Sequence, residues 1–510
     1  MKKLSLFLII TIFTLASYSQ SVQWMSPVQS LGNRESVPVI IGADENTYTT
    51  RTIIENAGFT YYAYADVTKG IRFDKYDAET NELILSKTHM YEDEHYVFKS
   101  TFIRGDEILI LNYYFLGRDE KFVTRFFIYD LKTFEFKESK NLFEREAKSA
   151  LYNREILLDY SENKKQILLS ESIVSMKDIK YLTRLYDENW NLRYTDTLIN
   201  RSYLQIDNEG SIYYLRRESE TENYIVSHDI NRDFEKWEER INLSVLEEDE
   251  VMTHMTTTLN PGGDLIITGL YGYDGKKSDK KEKEQNNENV AQIKGYMFLK
   301  VDVISKEITE IKKTEFAKEK NAVAAIDDTF LEYVGEKDRS SIGTKVYPCN
   351  DGGTLFICEE QRKLEGGENT STKYYYNDFF LFKIDNTGTL KWVLPVLKNQ
   401  EYKFRTSQNY KVLQSNDRIY LLYYSDNTEK IKKDSPYKNS IGKNNFYFYE
   451  INSKTGELTL TPLFEEMQFR SIVRFVDFNQ DNLIDEKYII PFQTKDFGKT
   501  KYQIIKLKLN

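Results

Sequence analysis

Seven times along this chain an apolar run reaches Asp or Asn, crosses a short polar turn and resumes as a second strand-like run. FDKYDAETNELIL carries Asp77 at the turn, RFFIYDLKTFEFKE carries Asp130, and TRLYDENWNLRYTD carries Asp187. YIVSHDINRDFEKWEE follows with Asp229, MFLKVDVISKEITEI with Asp302, FLFKIDNTGTLKWVL with Asp385, and FYFYEINSKTGELTL with Asn452. The turn residues lie 53, 57, 42, 73, 83 and 67 positions apart, so the repeat is degenerate. Asp and Asn suit the position because their short side chains bond the backbone two residues on. Gly388 and Gly456 supply a positive φ in two copies. Hairpins repeated at this spacing predict small antiparallel sheets stacked around an axis, as in a β-propeller.

A second regularity precedes the phrases. Apolar strands carry paired tyrosines at Tyr61-Tyr62, Tyr113-Tyr114, Tyr213-Tyr214 and Tyr423-Tyr424. Neighbouring residues on a strand point to opposite faces, so one tyrosine of each pair is expected to pack between adjacent sheets while the other faces the opposite way, with an aromatic ligand platform as the alternative. With these strands in place each unit has four: a, the tyrosine strand b, the strand c that ends in Asp, and d. In the sixth unit 378–384 reads as c and 389–396 as d. The seventh takes 403–413 as a and 418–424 as b. An eighth unit has 471–477, 488–492 and 502–509, without strand d. The segment Val37 to Ile41 is the candidate to complete it, since Pro38 suits an outermost edge. The fold expected is an all-β, single-domain propeller over residues 20–510, of eight four-stranded blades with seven as the alternative count, closed by an N-terminal strand.

Polar insertions fall at 275–289, 360–372 and 427–445, each between b and c, and at 318–341 between d and a. Strands alternate in direction, so all four belong to one face of the ring. Val323, Ile326, Phe330 and Val334 recur at near-helical spacing and predict a short helix there. Loops carried on a rigid scaffold are where binding concentrates.

Composition sets the compartment. Lys2 and Lys3 precede an apolar run from Leu4 to Ala16, with small residues around Ser17-Tyr18-Ser19, the pattern of a signal peptide over residues 1–19. No cysteine lies near that point, and no later apolar run reaches the roughly 18 residues of a membrane helix. An exported protein, periplasmic or at the cell surface, is expected. The net charge is −10, and −12 without Lys2 and Lys3, which disfavours nucleic acid as a partner. The 38 Tyr and 30 Phe fit a strand-rich chain.

Candidate chemistry is sparse. Asp477, Asn479, Asp481 and Asp485 stand at alternate positions of DFNQDNLID, a pattern that resembles the calcium loops of some propellers, with the Leu483 carbonyl between. Asn482 stands where Gly is usual and Tyr488 where a helix–loop–helix site needs Glu. Cys349 and Cys358 flank the hairpin turn Asn350-Asp351-Gly352-Gly353, whose register sets them out of line for a cross-strand disulfide and reads as two buried thiols. His89, His95, His228 and His254 show no metal-ligand spacing, His228 beside Asp229 reads as structural, and no GxSxG elbow occurs.

From the repeats and the leader the chain resembles uncharacterised exported bacterial β-propeller proteins, which implies fold and compartment. FLFKIDNTGTLKWVL also resembles the blade phrase of propellers with Trp before the next strand, though Trp190 and Trp237 lack its Gly-Thr context, against a quinone-cofactor propeller. The function expected is a non-catalytic binding or scaffold protein of the cell envelope, taking a protein or glycan on the looped face. The alternative is a glycan-active hydrolase or lyase with carboxylates and tyrosines at the central channel.

Overall fold

A computed structural model of the protein describes residues 21–508 apart from short breaks and the longer segments 57–66, 147–155, 274–291, 320–341, 365–372, 403–409, 426–444, 463–471 and 476–482. The described chain is almost entirely antiparallel strand, with one helical turn at Ile230–Arg232 and another at Phe316–Glu319. Pairing sorts the strands into successive four-strand meanders, eight of them among the described residues. Their first strands are Val39–Ala43, Tyr96–Arg104, Ile156–Tyr160, Arg201–Ile206, Glu250–Leu259, Ile342–Pro348, Tyr410–Ser415 and Ile472–Phe475.

All seven phrases form the hairpin between third and fourth strands. The turn residue's Oδ1 accepts the backbone N–H two positions on in every copy, as in Glu79 N to Asp77 at 2.8 Å and Lys454 N to Asn452 at 2.9 Å. In most a second N–H one or two residues further on joins it. For Asp130 these backbone bonds hold the carboxyl down to about 2. Gly388 and Gly456 do adopt positive φ, +76° and +71°. A Cβ on Gly456 would lie 2.6 Å from the Trp392 ring of the preceding meander, and one on Gly388 2.6 Å from Phe298.

Between meanders the cohesion is apolar. Ladder contact between the first two is a single bridge, Thr68 to Tyr96. One net hydrogen bond contributes about 1 kcal/mol, whereas each fully buried Leu, Ile or Phe contributes about 1.5–3 kcal/mol. Ile71 and Phe73 meet Ile108 and Ile110 at the first junction, and Leu109 and Phe126 meet Ile167 and Leu169 at the second. Leu168 and Leu185 meet Ile212 and Tyr214, then Tyr213 and Leu215 meet Leu265 and Ile267. Leu270 and Tyr296 meet Phe356 and Phe382, and Leu355 and Trp392 meet Tyr423 and Ile451. Ile40 and Tyr48 of the first meander meet Tyr502 of the last, so the series returns on itself. The fold is a β-propeller. The pair Tyr213-Tyr214 divides between two junctions as the strand period requires.

The strand that completes the last meander differs from the expected one. Ser21–Met25 pairs antiparallel with Lys499–Lys508, while Val39–Ala43 is the first strand of the first meander, hydrogen-bonded to Thr47–Asn56. The reason is local: Asp44 caps the turn into Thr47 through its carboxylate (2.7 Å to Thr47 N), so the apolar run preceding it is committed to that hairpin. Thr47–Asn56 is consequently the second strand of this meander, and Tyr61-Tyr62 lie outside the described residues. The insertion expected at 360–372 is shorter than it reads: Thr354–Leu364 continues as strand, paired as far as Leu364 with Lys373. At 318–341, Lys318 and Glu319 finish the helical turn Phe316–Glu319. The helix expected around Val323 to Val334, the insertion at 275–289 and all but Asn445 of that at 427–445 lie outside the described residues.

Candidate functional site

First strands of successive meanders lie against one another where Val39–Ala43 meets Tyr96–Arg104, and from Ile156–Tyr160 through Arg201–Ile206 and Glu250–Leu259 to Ile342–Pro348. They form the inner wall of the ring. On two neighbours the ladder slips by one residue. Ser202 pairs with Leu215 but Gln205 with Tyr213; Thr253 pairs with Leu270 but Thr256 with Thr268. Each is a β-bulge, and each holds an aromatic residue in the left-handed region: Tyr203 at φ +50° and His254 at φ +49°. Bulky residues avoid that region at a cost of about 1–2 kcal/mol, and such strain collects at ligand sites.

The surroundings hold both bulges in place. The Thr257 hydroxyl donates to the Tyr203 carbonyl at 2.6 Å, and Gln205 Nε2 donates back to the Thr257 carbonyl at 3.1 Å. Opposite His254 stands Gly269, where a Cβ would lie 2.8 Å from Met252 and 2.9 Å from Met255; its absence lets both methionines pack beneath the bulge. Tyr203 is 42% exposed and His254 is also exposed. Desolvation nevertheless pushes the Tyr203 phenol up, with Arg217 pulling it back, and pushes the His254 imidazole down.

Beside Tyr203 lies an ion pair between two inner strands. Arg201 Nη2 stands 3.1 Å from Asp159 Oδ2, with side chains 4% and 30% exposed. The guanidinium lies over the Tyr181 ring, 4.9 Å from its centroid. Desolvation pushes the Asp159 carboxyl up, and Arg201 opposes the shift. Asp159, Arg201, Tyr203 and His254 thus follow one another across three adjacent inner strands.

Sequence reasoning singled out none of these four as site residues. A signal was present. In EVMTHMTTTL the apolar spacing runs from Met252 to Met255, three residues rather than two, and such a break in strand period marks a bulge.

The residues that the sequence did single out fall elsewhere. Asp477, Asn479, Asp481 and Asp485 lie outside the described residues; Leu483–Ile484 pairs with Lys487 and Tyr488 as a small hairpin. Among the described residues no group of three or more His, Cys, Asp or Glu is placed to hold a metal. Cys349 and Cys358 are free buried thiols in different junctions, both pushed up to about 12 by burial. His89 bonds the Phe134 carbonyl at 2.6 Å through Nε2 and packs against Phe73 and Tyr129. His228 bonds the Tyr194 hydroxyl at 2.9 Å and lies parallel to Tyr214, a packing role. His95 lies outside the described residues. No described helix is long and apolar enough to cross a membrane.

No family model and no curated protein matches this chain. Among solved structures it is similar to the β-propeller domain of the Trilobed protease from Pyrococcus furiosus, at 10% identity and TM-score 0.35, covering 82% of this chain and 96% of that one. It is similar to prolyl oligopeptidase B from Galerina marginata at 10% identity and TM-score 0.37, covering 92% of this chain and 54% of that chain, so it spans about half that enzyme's length. It is also similar to an oligogalacturonate lyase solved with manganese, at 9% identity and TM-score 0.32, covering 94% and 98%. Likenesses this distant carry no argument about chemistry, and no residue role is transferred from them.

Proposed function

We propose that this protein is a non-catalytic binding protein of the bacterial cell envelope that takes a glycan on the inner wall of its propeller. The observation that carries the reading is the pair of strained, exposed aromatic residues, Tyr203 and His254, on neighbouring inner strands. An aromatic face suits the apolar side of a sugar ring, and imidazole and phenol suit its hydroxyls. Export is proposed from the signal-like residues 1–19, and exclusion of nucleic acid from the net charge of −10. A protein partner on the looped face, and calcium at Asp477, Asn479, Asp481 and Asp485, stand as proposals on the sequence pattern alone.

Calorimetric titration with a panel of neutral and acidic oligosaccharides tests the reading. Binding that is lost in Tyr203→Ala and His254→Ala, with melting unchanged, is the expected result. A panel without a binder, together with capture of an envelope protein that vanishes when 275–289 and 427–445 are deleted, would move the function to the looped face.

A hydrolase or lyase is the second reading, and Asp159 favours it. A desolvated carboxyl on the inner wall keeps its proton to higher pH, as a general acid must. Turnover on a polysaccharide panel, abolished in Asp159→Asn, would establish it; silence across the panel would remove it.

A further inference from the structure

Arg201 is a buried cation whose donors are poorly used. Nη2 and Nε are enclosed, yet neither has an acceptor in line, and Asp159 Oδ2 likewise accepts no aligned bond despite lying 3.1 Å from Nη2. Arg72 shows what a well-used guanidinium looks like in this ring: Nε donates to Asp74 at 3.0 Å and Nη1 to Glu35 at 2.5 Å. A guanidinium is a rigid planar fork that matches a carboxylate through two parallel bonds. Asp159 comes from the neighbouring strand on a short side chain and meets the fork at one atom. The Tyr181 ring covers one face of the guanidinium, so the plane is set while the edge keeps unused donors. Asp159 is partly open to solvent, so it is the more accessible partner of the pair.

We propose that Asp159 is a displaceable cover on Arg201, and that a ligand carboxylate takes its place, so that the inner wall selects glycans carrying uronic acid groups. The inference rests on the glycan reading above and adds the substrate class. A carboxylate places both of its oxygens on one guanidinium edge, so a single fork satisfies it in full. Selection by one enclosed guanidinium also suits an acidic protein, whose wider field repels anions. Tyr203, two residues along the strand from Arg201, then lies against the sugar ring that bears the carboxylate.

The experiment titrates the full chain with a uronic-acid oligosaccharide and with a neutral oligosaccharide of equal length and linkage. Wild type should prefer the uronate by about tenfold, the size expected for one charge-assisted pair. Arg201→Met should erase the preference, bringing the uronate affinity down to that for the neutral glycan. Arg201→Lys, which keeps the charge without the fork, should retain part of it and serves if the Met variant fails to fold. Asp159→Ala should raise uronate affinity severalfold, because the competitor is gone. Equal affinity of wild type for both glycans overturns the carboxylate inference and leaves the glycan reading standing. So does an Asp159→Ala variant that melts earlier with no gain for uronate, since that marks a purely structural pair. Binding of neither glycan by wild type overturns both.

Discussion

The junction between the sixth and seventh meanders and the inner wall of the third to fifth treat buried polar groups in opposite ways. At the junction, Lys383 is 1% exposed, yet its ammonium meets the Asp351 carboxylate, the Ser453 carbonyl at 3.0 Å and the Ser453 hydroxyl at 2.5 Å. Trp392 Nε1 donates to the same Ser453 carbonyl at 2.9 Å, and Gly456 closes over the indole. At the wall, Arg201 keeps unaligned donors, and Tyr203 and His254 hold strained backbone with their side chains exposed. A buried charge supplied with every partner is a joint of the scaffold. One left short of partners, beside strained and exposed aromatics, is better placed to receive something else.

Four perturbations probe this contrast, taken from the largest effect to the smallest. Lys383→Met should cost about 3 kcal/mol in chemical denaturation, because it removes charge-assisted hydrogen bonds to Asp351 and Ser453. A loss below about 1 kcal/mol would show that the joint is not special. Gly456→Ala should cost about 2 kcal/mol, from a left-handed backbone and a methyl driven against Trp392.

Acid should act next. Burial pushes the imidazoles of His89, His228 and His254 down, so the folded protein holds them neutral while the unfolded chain takes protons near pH 6.5. Their contribution is present above about pH 6.5 and is lost as pH falls below it. Melting temperature should therefore drop between pH 7.5 and 5. His228→Gln should flatten that drop more than His254→Gln, because His228 is packed inside a junction. The carboxylates add their own loss lower down, Asp130 between about pH 4 and its folded value of about 2.

The smallest effect has the opposite sign. Tyr203→Gly and His254→Gly should leave stability unchanged or raise it by up to about 1 kcal/mol, since glycine accepts the left-handed region. A clear destabilisation by both would mean that these side chains hold the scaffold together, and the contrast would fail.

Much of the scaffold is legible in the sequence because it repeats a physical device. The Asp or Asn turn bonds its own backbone, so each phrase announces a hairpin without help from the rest of the chain. The first meander reads poorly for a related reason: Val39–Ala43 is apolar and follows a proline, as an edge strand would, and only the Asp44 cap commits it to the next strand. Ser21–Met25 reads weakly because SVQWM is short and mixed and follows directly on an apolar leader-like run. The wall is harder still. A bulge is one extra residue, and Tyr203 looks like any strand tyrosine until the register on both sides is known. The Asp159–Arg201 pair joins two meanders, so neither local pattern contains it.

The pairing of Ser21–Met25 with the last strand also sets how the ring responds to force. Ser21 lies opposite Lys508, so the first and last described residues sit side by side at one corner. Tension applied there would not shear the whole ladder at once. It would open the seam like a zip, one rung after another, beginning at Ser21 and running through Met25 to Gln29 and Ser30, which pair with Tyr502 and Lys501. A tether at either edge of this seam is therefore a handle on the closure of the ring.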